Sequence, residues 1–143
     1  MTFVDASAIV AILGREPGHE ELEKRLAMAA MPLIVSPLVK SEATMALARQ
    51  KVSTGAGHSR ASPESLRQAR AAVEAFAEDL DVEEIPISSE IGAQAIEASA
   101  RYGKAVGHVA DLNFGDCFAY ACAKTLGAEL IYKGNDFLHT DLA

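Results

Sequence analysis

Four acidic positions, far apart along the 143 residues, are of the kind that do chemistry when a fold gathers them. Asp5 closes the apolar run at the amino end, and Asp116 stands at the mouth of an apolar segment reading NFGDCFAY. Asn135 and Asp136 sit in the turn KGNDF. Glu42 lies four residues after Leu38, three after Val39, three before Met45 and four before Ala46, so helical spacing points it along an apolar stripe. Singly, each has an ordinary explanation. Asp5 and Asp116 suit helix caps, Asp136 suits a turn residue bonding its own backbone, and Glu42 suits a buried acid paired with an arginine. Together at one place, such carboxylates repel and raise one another's pKa unless a cation neutralises them. No histidine pair or cysteine cluster has zinc spacing, whereas two or three carboxylates with water and phosphate oxygens suit Mg²⁺ or Mn²⁺. Such a site orients water for in-line attack on a phosphodiester and stabilises the charge that develops.

Positioning these acids is the task of short strands alternating with helices. Thr2 to Val4 reads as a strand ending at Asp5, followed by a buried helix over 7–13 and a second helix over 20–30. The run LIV at 33–35 is strand-like, and Ser36-Pro37 starts a helix expected to run to about Gln50. Residues 49–63, RQKVSTGAGHSRASP, hold glycines, serines and no acid, and read as a basic loop or frayed helix end. Ser62-Pro63 opens a helix with Leu66, Ala69, Val73, Phe76 and Leu80 on one face, and EEIPIS at 83–88 is a short strand. Ser88 or Ser89 caps a helix through Ile91, Ala95, Ile96 and Ala98, and residues 103–115 connect it to a helix over 116–126. Gly127 stops that helix before the strand AELIY at 128–132. The alternation implies an α/β domain with a mainly parallel sheet between helical layers, in which strand carboxyl ends and helix amino ends share the ligand-binding edge. Asp5, Glu42, Asp116 and Asn135 or Asp136 are the polar residues expected there.

The length suits one domain over residues 1–143. The amino end lacks a basic leader pattern, and no apolar run approaches the roughly 20 residues that span a bilayer, which implies a cytoplasmic protein with no membrane partner. Cys117 and Cys122 are five apart in one helix and read as buried reduced thiols. A net charge of −7 disfavours any partner held by a global positive field. An acidic pocket holding a metal ion still meets an RNA backbone, with Arg49, Lys51 and Arg60 as local phosphate contacts. Lys133 reads as a solvent-facing charge after an edge strand that could touch phosphate. His108 and His139 read as loop or surface residues, Asp111 as connector, and His19 and His58 as solvated side chains.

The ordered set VDASAIVAIL, a helical SEAT containing Glu42, LNFGDCFAYACAK and LIYKGNDFLHTDL resembles a PIN domain of the VapC toxin type over nearly the whole chain. The resemblance implies a three-layer α/β/α fold and a Mg²⁺-dependent ribonuclease, the toxin of a type II toxin–antitoxin pair, homodimeric and inhibited by a VapB-type antitoxin. Asp5, Glu42 and Asp116 match the family acids, with Asp5 and Asp116 in direct metal contact. Ser7 matches a hydroxyl residue supporting the metal site, and Asn113 one that organises the turn before Asp116. Related toxins often read GDDF where this chain has Gly134-Asn135-Asp136-Phe137, so either Asn135 replaces an acid or Asp136 supplies it. Two other classes fit more loosely. A receiver-like phosphoryl-transfer domain needs a phospho-acceptor aspartate after a central strand, and Ser88-Ser89 follow 85–87 instead. A non-catalytic PIN-like interaction module has no need to retain Asp5, Glu42 and Asp116.

Overall fold

The computed structural model describes residues 1–54 and 60–143, without the side chains of 52–54. His58 and the centre of the basic segment lie outside the described residues. Four strands, β1 (Thr2–Val4), β2 (Leu33–Val35), β3 (Glu83–Glu84) and β4 (Glu129–Ile131), pair in the order β3-β2-β1-β4, all parallel. Among the described residues six helices surround them: α1 (Ala6–Leu13), α2 (His19–Met28), α3 (Pro37–Thr54), α4 (Pro63–Asp79), α5 (Ser89–Tyr102) and α6 (Phe114–Leu126). The architecture is the expected α/β/α arrangement.

The central strands are apolar because both faces are covered, which removes the usual inside–outside alternation. Phe3 and Val4 of β1 have no exposed surface, and Leu33, Ile34 and Val35 of β2 are buried with them. Strand β3 is shorter than the expected 83–88. Ile85 N–H still donates to Val35 O (2.9 Å), but Pro86 has no N–H with which to continue the ladder. Helix α3 runs four residues past the expected Gln50. Ile91, Ala95 and Ala98 of α5 are buried, but Ile96 is 74% exposed, since it lies off their 3–4 residue spacing. Cys117 and Cys122 are buried free thiols, as expected.

Three helix starts face the functional edge. Asp5 caps α1, and its own N–H donates to Ile131 O (2.9 Å), so the residue that leaves β1 is fixed to the end of β4. Ser36 Oγ accepts from Val39 N (3.2 Å) at the start of α3. Helix α6 begins at Phe114, two residues before the expected Asp116, because Asn113 is the N-cap. Asn113 Oδ1 accepts from Asp116 N (2.9 Å) and Asp116 Oδ2 accepts from Asn113 N (3.0 Å), a reciprocal capping box. Asn113 thus organises the turn before Asp116. Gly127 ends α6 in the left-handed region, φ 62°. At the far end of α6, Tyr120 OH donates to Asp141 Oδ1 (2.6 Å) and Lys124 Nζ lies 2.9 Å from Asp141 Oδ2.

Replacing Asn113 by alanine should destabilise the protein by about 1 kcal/mol, the usual cost of losing an N-cap side chain, whereas Asn113→Asp should cost less. Chemical denaturation of the three proteins checks both.

Candidate active site

Asp5 is 5% exposed, and its Oδ2 accepts from Ser7 N (3.0 Å) and Ser7 Oγ (2.5 Å). The same Ser7 hydroxyl accepts from Lys133 N (3.0 Å). One serine therefore joins the end of β1, the start of α1 and the first turn beyond β4. Burial pushes the Asp5 carboxyl above its ordinary range against these lowering hydrogen bonds, and the charge of Asp136 pushes in the same direction as burial.

Asp116 is 9% exposed. One oxygen is committed to Asn113 N, and the other, Oδ1, accepts no hydrogen bond among the described residues. Its pKa is raised to about 6: burial is the largest cause, Asn113 N opposes it, and the charges of Asp5, Asp136 and Asp111 add to it. Glu42 is half-buried on α3 and forms no ion pair among the described residues, so the arginine partner that would make it an ordinary buried acid is not there. Its pKa rises to about 7 through burial first, then the charges of Asp5 and Asp116.

Asp5, Glu42 and Asp116 therefore lie within electrostatic reach of one another although 37 to 111 residues separate them. Asp136 is exposed and acts on both Asp5 and Asp116. Asn135, also exposed, contributes its backbone carbonyl to the following turn by accepting from Leu138 N (3.1 Å). Of the expected phosphate contacts, Arg49 lines the groove beside Glu42, while Lys51 and Arg60 are exposed and do not line it.

Sequence reasoning missed two residues. Asp111, read as connector, adds charge at Asp116. Gly115 matters more: a Cβ there would overlap the Glu42 carboxylate, so the bare backbone of α6 is what lets that carboxylate lie against the helix. The available signal was a glycine within a helical run, where it costs about 1 kcal/mol relative to alanine and calls for a packing reason.

An oxygen-only cluster of this kind suits a hard cation. Among the described residues no three Asp, Glu, His or Cys side chains converge into a ready-made cage.

Two outcomes follow from Glu42 and Gly115. A carboxyl whose pKa is raised on folding contributes stability at low pH that is lost as pH rises through the folded value. For Glu42 the window runs from its ordinary 4.5 to about 7. Without divalent ions, Glu42→Gln should remove this loss, so that its melting temperature exceeds the wild type's by a few degrees above pH 7 and the difference closes toward pH 4. Parallel thermal melts across that range check it. Gly115→Ala should fold, since the obstructed atoms are the movable end of Glu42, yet cleave RNA about 10–100-fold more slowly, the scale of a displaced supporting group.

The chain matches the PIN domain over residues 2–142. It is 54% identical over 142 residues to a VapC ribonuclease of Rhizobium meliloti (strain 1021), covering 99% of each chain. It is 36% identical over 140 residues to a ribonuclease VapC of Mycolicibacterium smegmatis, covering 98% of this chain and 96% of the relative. The crystal structure of Mycobacterium tuberculosis VapC20, a sarcin-ricin loop cleaving toxin, has the same fold: TM-score 0.72 at 20% identity, over 100% of this chain and 97% of that one. A toxin–antitoxin complex from Klebsiella pneumoniae matches with TM-score 0.65 at 17% identity, over 99% of this chain and 93% of its chain. A family match from end to end, and more than half of all residues shared with a curated relative, show that the chain belongs to the PIN domain family as a VapC ribonuclease.

Proposed function

We propose that this ribonuclease is Mg²⁺-dependent and that Asp5, Glu42 and Asp116 hold the ion, with Mn²⁺ an acceptable substitute. Asp136, rather than Asn135, supplies the fourth acidic position. The observation that carries the reading is the mutual crowding of three acids, two of them with pKa values raised to about 6 and about 7, at the shared edge of one sheet. Such a cluster is unfavourable without a cation and favourable with one.

Each residue has a part that its surroundings support. Ser7 holds Asp5 in one orientation and ties it to β4 through Lys133 N. Asn113 holds Asp116 by the capping box, and the amino end of α6 favours its ionised form. Glu42 rests over Gly115, close enough to feel both aspartates. Exposed Asp136 stands at the solvent side of the pair it influences. When bound, the ion lowers the pKa of water at the site and offsets negative charge on the scissile phosphate and leaving oxygen. The acids' work is to place that charge beside the phosphodiester without any protein nucleophile.

The partner is a VapB-type antitoxin that blocks this edge, and the active form is a homodimer. An RNA substrate suits work in the cytoplasm. Among the described residues no helix is long and apolar enough to cross a membrane.

Purified protein freed of antitoxin should cleave RNA with Mg²⁺ and stop when the ion is chelated. Asp116→Asn keeps an acceptor for Asn113 N but loses the charge, and should lower cleavage at least about 100-fold while leaving the fold intact. Cleavage that persists in chelator, or in a folded Asp116→Asn protein, would overturn the metal-site reading.

A further inference from the structure

A groove of about 630 Å³ opens beside the acids, lined by α1, α3 and the turn after β4. Ser7 and Glu42 belong to its wall, so it is continuous with the candidate active site. Val10, Met45 and Ala46 give it an apolar surface, and Arg49 and Lys133 bring two cations from separate elements. Lys133 is fixed close to the acids, because its N–H donates to the hydroxyl that holds Asp5. Its ammonium lies 3.2 Å from Glu16 Oε1, with both side chains about one-third exposed. Arg49 is exposed and has no carboxylate partner among the described residues.

The groove thus joins two cations and an apolar surface in a chain of net charge −7. The combination suits a nucleotide, whose phosphate takes charge-assisted hydrogen bonds while its base or sugar covers apolar side chains. A partly exposed lysine–glutamate pair contributes little stability, so Glu16 yields the lysine readily to a phosphate.

We propose that this groove is the subsite for the RNA nucleotide flanking the cleaved bond, with Arg49 and Lys133 binding its backbone phosphate and Glu16 acting as a latch on Lys133 that the phosphate displaces. The subsite rests on the acids being the cleavage site. Arg49 and Lys133 are positioning residues that hold the strand, and Glu16 sets how freely Lys133 is available.

The probe is a short single-stranded RNA of mixed sequence, since phosphate contacts do not depend on base identity. Its binding is measured by fluorescence anisotropy in Mg²⁺ buffer over a range of salt, in the folded Asp116→Asn protein. Added Arg49→Ala or Lys133→Ala should each weaken binding roughly tenfold, the scale of one charge-assisted hydrogen bond. Each should also reduce the slope of log affinity against log salt by about 0.7, the value for one phosphate contact on a single strand. Glu16→Gln should tighten binding a few-fold, and Arg67→Ala, on the exposed side of α4 and outside the groove, should change nothing. Lys133→Gln, which keeps most of the stem, replaces Lys133→Ala should the latter unfold. The opposite signs at Glu16 and Lys133 separate a latch from a structural ion pair, whose two halves would weaken binding alike. Binding that is absent, unchanged by Arg49 and Lys133, weakened by Glu16→Gln, or equally weakened by Arg67→Ala overturns the subsite. An Asp116→Asn protein that still cleaves RNA refutes the location of the cleavage site instead, which tells the two failures apart.

Discussion

Electrostatic repulsion among carboxylates is the constraint to which the rest of the molecule answers. Asp5 is buried where a charge is costly, and Glu42 and Asp116 feel it and burial together. Left to themselves such groups move apart or stay protonated. Here they are held by backbone that has other reasons to be where it is. Asp5 is clamped between β1 and β4, Asp116 is locked into the first turn of α6, and Glu42 rides a helix whose Val39, Ala43 and Leu47 are buried in the core. The unfavourable charge energy is therefore opposed by sheet pairing, capping and apolar burial. This is a common way for a functional site to be maintained within an otherwise consistent fold.

The parallel sheet explains why the acids can be so distant in sequence. With every strand pointing the same way, each crossover returns a new strand end and helix start to the same edge. Asp5 follows β1 and Asp136 follows β4. Glu42 occupies the second turn of α3 and Asp116 the first turn of α6, both helices entered from that side. Ser7 joins two of these returns directly. Its hydroxyl donates to Asp5 while accepting from Lys133, so the turn bearing Asn135 and Asp136 starts from a fixed point.

Much of this was legible in the sequence because it was written in local patterns. The β-favouring run at 2–4 and the apolar triplet at 33–35 marked strands, Ser36, Ser62 and Ser88 marked helix starts, and Gly127 marked a helix end. The spacing around Glu42 placed an acid at the border of a core-facing stripe. What escaped depended on contacts between elements or on fine boundaries. Nothing local showed that Gly115 sits beneath Glu42, because those residues meet only when α3 approaches α6. Asp116 looked like the first residue of its helix since the cap, Asn113, is separated from it by Phe114 and Gly115. The expected strand at 83–88 overran because its apolar residues Ile85 and Ile87 outweighed Pro86 in the reading, whereas in the ladder the missing N–H decides. The three basic residues near 49–60 looked equivalent as a composition, and helix phase and position separated Arg49 from the other two.

The capping box at the start of α6 also has a bearing on ion selectivity. Asp116 Oδ2 is taken by Asn113 N, and Asp5 Oδ2 is taken twice by Ser7. Each aspartate thus has one oxygen already engaged by hydrogen bonds. Calcium, with about six to eight oxygen ligands at longer distances, gains much of its affinity from two-toothed carboxylates. A smaller octahedral ion is content with single oxygens and its own waters. On the proposed metal-site reading, hydrogen bonds that serve first to start two helices would favour single-oxygen contacts from both aspartates, and with them the smaller of the two commonest divalent ions in biology.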